Sequence, residues 1–312
     1  MNVIKYTSEY KKIWDEFVKN SKNGHFFFQR DYIEYHSDRF EDFSLLCFDE
    51  TEKLIAVLPA NIKDKILYAH QGLTFGGFLI GDKMKTETML DIFEALKEFL
   101  KKEKINKLVY KCIPHIYHIK PSEEDRYALF RNDAKLIRRD VTSTIDLTEL
   151  VRYSKGRKWT ISKAKKEALE TFESDDYEAF WQLLTNVLES NHEVKPVHTL
   201  EEIKKLAYLF PKNIKLYLSR KDTQIISGAL IYENQKIVHT QYLANSKEGR
   251  ELGALDLLLD YLIQNIYKDK KYFDFGISNE DAGRYLNTGL IAQKEGFGAR
   301  AVVHDFYELE IK

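Results

Sequence analysis

Apolar residues recur along the chain with two periods. Spacings of three and four place Ile13, Trp14, Phe17 and Val18 on one face and predict a helix over 8–19. Leu90, Phe93, Leu96 and Leu100 do the same for 87–101, and a further helix is predicted through Tyr32 and Tyr35. Short apolar runs predict strands at 44–48 and 53–59, joined as a hairpin across 49–52, and at 66–70, 107–113 and 136–147. The run Ser122-Glu123-Glu124-Asp125 predicts a capping box opening a short helix.

The second half repeats this order. A hairpin is predicted from 224–232 and 236–243, a helix over 252–266, a strand at 272–275, a helix over 284–294 and a closing strand at 299–309. Hairpin, helix, strand, short helix and long strand also follow one another over 53–147. The offset is roughly 160 to 170 residues, an internal repeat of pattern rather than of sequence. Each copy calls for a mixed sheet with a crossover helix between neighbouring strands. The expected fold is therefore α/β with mixed sheets in two tandem domains, 1–150 and 151–312, meeting near 149–155 without a Pro- or Gly-rich linker.

The most informative stretch is 271–300, KYFDFGISNEDAGRYLNTGLIAQKEGFGAR. Its strand carries one carboxylate, Asp274, among apolar residues; burial of that charge is costly unless it is hydrogen-bonded or faces a polar cavity. FDFG at 273–276 and GLIAQKEGFG at 289–298, together with KPVHT at 195–199 and VHTQY at 238–242, resemble FemAB-like proteins of the GNAT acyltransferase superfamily. The match is closest to the GNAT proteins encoded beside bacterial surface-polysaccharide genes, and it is fullest over 156–312. The resemblance implies two tandem GNAT-like domains with a cleft between them. The first is expected to bind the acceptor, and the second to hold the donor and the chemistry. No stretch is long enough for the coiled-coil arm that some FemAB-like proteins carry.

Composition narrows the partners. A net charge of -1 over 312 residues gives no whole-molecule attraction to DNA or to an anionic membrane. Two cysteines, Cys47 and Cys112, suit a reducing compartment. The first residues have no apolar leader core and no apolar run is long enough to span a bilayer, so a cytoplasmic protein without membrane insertion is expected.

Acyl transfer to an amine needs a base for the nucleophile, donors for the oxyanion and a proton for the leaving group. Asp274 is the first candidate, as general base or as organiser of the acceptor amine; capping the next helix or bonding Ser278 are its alternative roles. His198 and His239 are the other catalytic candidates. Pro196 holds the chain extended before His198, and Thr199 with Glu202 predicts a capping box just after it. His239 shares a strand face with Gln241 and precedes Tyr242; a satisfied structural hydrogen bond would explain either histidine equally well. For the donor, the GNAT resemblance points to Gly249, Arg250, Gly253 and Ala254 before a helix, with Gly276 at the end of the next strand. Arg250 and Gly253 fit the superfamily pattern Q/R-x-x-G-x-G/A, but Leu255 stands where its last small residue belongs, and a plain glycine turn is an equal reading.

Acceptor contacts are expected from His70, Gln71 and Thr74 in a glycine-rich loop, from Lys195, Tyr242 and Ser278, and from a cationic floor of Arg157, Lys158 and Lys294 facing a diphosphate. A solvated basic face is the plainer reading of Arg157 and Lys158. Cys112, His115 and His118 offer only three ligands, interrupted by Pro114, so no metal is expected. No P-loop or dinucleotide fingerprint occurs.

The expected activity is transfer of an acyl group from acyl-coenzyme A, acetyl-coenzyme A foremost, to an amine of a sugar nucleotide or polysaccharide precursor. One alternative is a FemAB-type transferase using aminoacyl-tRNA and a peptidoglycan precursor. A non-catalytic GNAT-fold binding protein is the other.

Overall fold

The computed structural model describes residues 1–192 and 195–312. In chain order the first elements are β1 (Asn2–Lys5), α1 (Lys11–Asn20), α2 (Arg30–Ile33), β2 (Glu41–Asp42), β3 (Leu45–Phe48), β4 (Leu54–Leu58), β5 (Asn61–Lys63) and β6 (Ile66–Tyr68). There follow β7 (Leu79–Ile80), α3 (Thr86–Lys102), β8 (Lys107–Lys111), α4 (Glu124–Arg131) and the long β9 (Lys135–Asp146). The second half holds α5 (Lys155–Ala164), β10 (Glu170–Ser174), α6 (Tyr177–His192), α7 (Leu200–Leu209), β11 (Ile214–Lys221), β12 (Gln224–Glu233) and β13 (Ile237–Asn245). Last come α8 (Lys247–Leu252), α9 (Ala254–Tyr261), β14 (Tyr272–Ile277), β15 (Asn279–Glu280), β16 (Tyr285–Leu286), α10 (Thr288–Glu295) and β17 (Arg300–Glu310).

Contacts divide the chain into two compact units. Unit one is Met1–Asp140, Asp281–Arg284 and Val303–Lys312; unit two is Val141–Glu280 and Tyr285–Val302. In unit one the apolar stripe of α3 (Met89, Ile92, Phe93, Leu96 and Leu100) closes a core with Leu45, Leu58, Leu67, Leu108 and Tyr110. In unit two α9 supplies Leu255, Leu258 and Leu259 against Ala229, Ile231, Val238, Phe273 and Phe275.

Both units are built around one parallel strand pair reached by a helical crossover. In unit one β6 runs parallel to β8, with Ile66 opposite Lys107 and Tyr68 opposite Val109. In unit two β13 runs parallel to β14, with Ile237 opposite Tyr272 and His239 opposite Asp274. The repeat thus sets Tyr68 and Val109 in register with His239 and Asp274.

The closing strands are where expectation and structure part. The pattern suggests that β9 closes the first copy and β17 the second. Instead β9 pairs with β14 of unit two through Ile145, Thr144 and Thr142, and β17 pairs with β8 of unit one from Phe306 to Glu310. Alternation marks a half-buried strand but does not name its partner, so the units do not follow a single cut at residue 150. Two helix starts also differ. Ser122 gives its hydroxyl to the Lys120 carbonyl and Glu123 makes no side-chain cap, so the predicted box before α4 is not formed. The helix expected over 284–294 begins at Thr288, because Tyr285 and Leu286 pair with Glu280 and Asn279 while Asn287 caps the helix by accepting from Leu290 N.

Candidate active site

The parallel pair of unit two opens into a fork. Its ladder ends at His239–Asp274, although β13 continues to Asn245 and β14 to Ile277. A bulge in β13 accompanies the opening: Tyr242 faces Leu230 and Thr240 faces Ile231, leaving Gln241 as the extra residue. At the fork the registers align one row of polar side chains across four strands, Thr144, Asp274, His239 and Tyr232.

Asp274 is wholly buried. Its Oδ1 accepts from Thr142 Oγ1 and from Thr144 Oγ1 at 2.9 Å, and its Oδ2 lies 2.8 Å from His239 Nδ1. An ionised carboxylate only accepts, so facing one Nδ1 would carry a proton and Nε2 would be left to act as a base. Gly276 follows at φ 75°, a left-handed conformation that favours glycine. Lys294, in the last turn of α10, donates to the carbonyls of Gly276 at 2.9 Å and Ile277 at 2.7 Å. Burial pushes its amine down to about 8, against the pull of the Asp274 charge.

A second pair stands on the same strand. His198 Nδ1 lies 2.7 Å from the Tyr242 hydroxyl, and Trp181 packs its edge on the Tyr242 ring at 5.4 Å. The predicted capping box holds this corner: Thr199 Oγ1 accepts from Glu202 N at 3.1 Å and the Glu202 carboxylate accepts from Thr199 N at 2.8 Å. Burial pushes the Tyr242 phenol up.

With this geometry in view, comparison with known proteins is decisive for one half. Residues 154–285 match the acetyltransferase (GNAT) domain family. That stretch is similar to a GNAT domain. Over its full length the fold resembles FemX, with a TM-score of 0.70 at 13% identity, covering 98% of this chain and 97% of that one. L-PGS from Bacillus licheniformis aligns with a TM-score of 0.61 at 12% identity over 91% of this chain and 92% of its own. A tandem GNAT protein from the clavulanic acid biosynthesis pathway aligns with a TM-score of 0.53 at 11% identity over 100% and 98%. At such identities the likeness establishes a shared fold, one of tandem GNAT units. No curated protein sequence matches the chain.

The stretch expected to cradle a GNAT donor is organised differently from a bare loop. Ser246 caps α8, its Oγ accepting from Gly249 N at 2.9 Å and its carbonyl from Arg250 N at 3.0 Å. Gly253 N turns back to the Arg250 carbonyl at 3.4 Å, and Ala254 is buried at the start of α9. These N–H groups are therefore occupied within the chain. Gly249 is demanded by packing, since a β-carbon there would collide with Asn245 Oδ1 and the Ile226 carbonyl. Gly253, at φ 77°, lets the chain pass Thr160 and Ala164 of α5. Side chains remain for an anion: Lys247 and Arg250 line a groove of about 610 Å³ with Gln182 and Asn186 of α6.

The other expected residues are scattered. Arg157 pairs with Asp256 and lies over the Phe297 ring at 5.3 Å, Lys158 and Lys195 are exposed, and Lys294 is buried on carbonyls. The cationic floor predicted from Arg157, Lys158 and Lys294 is not formed, because two of the three are already engaged. Ser278 is buried and its hydroxyl makes no hydrogen bond, so the alternative in which it bonds Asp274 is replaced by the two threonines.

In unit one the GNAT fork is occupied by the protein itself. Lys111 donates to the carbonyls of His70 at 3.0 Å, Gln71 at 3.3 Å and Leu73 at 2.5 Å, and burial lowers its amine to about 7. His70 is buried, stacked on His36 at 5.0 Å, and held well below its ordinary pKa by desolvation. Gln71 is locked to Asn61 through bonds of 2.8 and 2.9 Å, although it and Thr74 are both exposed. His70 and Gln71 thus serve the loop's own folding. A cavity of about 1080 Å³ also belongs to unit one, between α1, the β3–β4 hairpin and α3, and none of the candidate residues lines it. Volume is a poorer guide here than the placement of titratable groups.

Among the described residues no cluster is placed to hold a metal ion, and His118 Nε2 lies 3.0 Å from the Ile113 carbonyl. Sequence reasoning missed Thr142, Thr144, Tyr232 and Lys111. Two threonines in a strand read as ordinary β-formers, and nothing local ties them to an aspartate 130 residues away.

Proposed function

We propose that the protein is an N-acyltransferase moving an acyl group from acyl-coenzyme A, acetyl-coenzyme A foremost, to an amine of a sugar nucleotide or other cell-surface polysaccharide precursor, in the cytoplasm. The observation that carries this reading is the Asp274–His239 pair, 2.8 Å between Oδ2 and Nδ1, at the point where the GNAT strands separate. His239 Nε2 takes a proton from the acceptor amine as its nitrogen attacks the thioester carbonyl. The Asp274 carboxylate stabilises the imidazolium that forms. The new C–N bond is made, the C–S bond breaks, and the proton passes from His239 to the departing thiolate. The edge of β13 beyond His239 has left the β14 ladder, and its backbone N–H groups are the donors this reading assigns to the oxyanion. Lys247 and Arg250 bind the anionic end of the donor. Unit one contributes the acceptor side in this reading, since its own fork is closed by Lys111.

A second reading draws on a specific observation. The N–H groups of Gly249 and Arg250 are spent on Ser246, which takes two donors from the backbone cradle expected for a coenzyme A pyrophosphate. An aminoacyl ester carried on tRNA, as in a FemAB-type transferase acting on a peptidoglycan precursor, requires no such cradle and presents the same carbonyl chemistry. Among the described residues no helix is long and apolar enough to cross a membrane.

The test is thermal stabilisation of the purified protein by acetyl-coenzyme A, longer acyl-coenzyme A and free coenzyme A. A donor at a hundredfold its Kd adds about 2.7 kcal/mol. A shift selective for one acyl length supports the first reading. A folded sample that ignores all three, but binds aminoacyl-tRNA in a salt-dependent way, establishes the second. Binding without turnover of any amine would leave a binding protein.

A further inference from the structure

The buried carboxylate is gripped from the side opposite the histidine. Thr142 and Thr144 are alternate residues of β9, so their side chains leave the same face of the strand. Both give their hydroxyls to one oxygen, Oδ1, while Oδ2 faces His239. The register that allows this is irregular: Thr144 stands opposite Asp274, but Thr142 stands opposite Ile277, with a shift between the two. That shift draws two hydroxyls onto one carboxylate. Threonine is stiff at χ1, so each hydroxyl is held in place before any ligand arrives. The Lys294 ammonium also interacts favourably with Asp274.

The strand itself does not need these hydroxyls. Valine has the same shape and an equal fitness for a buried strand, and Thr142 is fully buried. Unit one offers the internal comparison. Its strand β17 sets Glu308 opposite Val109, the position matched to Asp274, and Tyr68 stands where His239 would be. The unit without the aspartate and histidine also lacks the hydroxyl pair.

We propose that Thr142 and Thr144 are positioning residues, a hydroxyl clamp that keeps Asp274 ionised and oriented and thereby fixes His239 as the Nδ1–H tautomer with its base at Nε2. Its catalytic consequence rests on the reading under Proposed function; the tautomer is a property of the resting protein and is tested without substrate.

The experiment is ¹⁵N NMR of the full chain labelled at histidine, comparing wild type with Thr142→Val/Thr144→Val and with Thr142→Ser/Thr144→Ser, His239→Gln assigning the signal. Wild type should show His239 protonated at Nδ1, with a low-field proton. The valine pair should lose that proton or mix the tautomers, and the serine pair should restore it. A folded valine pair with an unchanged His239 signal would overturn the clamp. Should the double variant fail to fold, Thr144→Val alone is read by the same signal. Turnover of an amine acceptor supplies the second readout. The valine pair should lower kcat by about tenfold or more with little change in KM, since each hydrogen bond to a charged group matters at that scale. A changed tautomer with unchanged turnover would uphold the clamp and reject His239 as the base.

Discussion

Gly276 lies against the edge of the His239 imidazole: a β-carbon added to it would sit 3.2 Å from Cε1. The same residue is held at φ 75° while its carbonyl receives the Lys294 ammonium. Glycine is thus fixed here by conformation and by the ring it must admit. Gly276→Ala should cost roughly 1–2 kcal/mol from the left-handed backbone alone. Turnover should fall further than stability does, because the added methyl presses on the base. Thermal unfolding and kcat/KM measured on the same preparation separate the two effects.

Asp274→Asn keeps the volume and removes the charge. An amide can face Nδ1 with either its oxygen or its nitrogen, so the ring loses its fixed tautomer and its counter-charge. The expected loss in kcat is about 10²- to 10⁴-fold, the range of general base catalysis, with donor binding retained. Single-turnover kinetics beside a donor titration check it; equal loss of binding and turnover would assign Asp274 to architecture.

Gly249→Ala tests what that glycine is for. With Asn245 Oδ1 and the Ile226 carbonyl in the way, the variant should be destabilised by about 1–3 kcal/mol with no ligand present. Lys247→Ala with Arg250→Ala should instead leave unfolding nearly unchanged and weaken the donor by about tenfold or more. Denaturant titration and donor titration of both variants distinguish packing from recognition.

Lys294 gives the stability a pH signature. Its folded pKa is lowered from 10.5 to about 8, so below pH 8 it is charged in folded and unfolded chains alike. Between about 8 and 10.5 the unfolded chain keeps the proton that the folded one has released. Stability from this group therefore rises with pH across that window, by on the order of 2 kcal/mol. Lys294→Met should abolish the rise, which melting curves of the two proteins from pH 7 to 10 would show.

Much of the fold is legible in the chain because burial writes a period into it. The stripe of α3, the hairpin of β12 and β13 and the apolar run around Asp274 all stand where spacing puts them. The capping box at Thr199 and Glu202 is equally local, and so is readable. What escapes is any property that depends on a distant partner. Asp274 and His239 can each be noticed as polar residues in apolar strands, but only register brings them together. The basic appearance of Arg157 dissolves because Asp256, on another helix, already holds it. The glycines at 249 and 253 look like a ligand loop, yet Ser246 turns the segment into a capped helix.

The exchange of closing strands sets the order in which the molecule can be completed. Thr144 meets its aspartate 130 residues later in the chain, and Arg126 meets Asp305 across 179. Contacts of such separation form late and slowly, since a long loop must close before they stabilise anything. During synthesis β8 and β9 emerge without the strands that will cover them, and β9 waits until residues 272–277 have left the ribosome. Neither half can ripen alone, and the proposed base is assembled only when the chain is nearly all made.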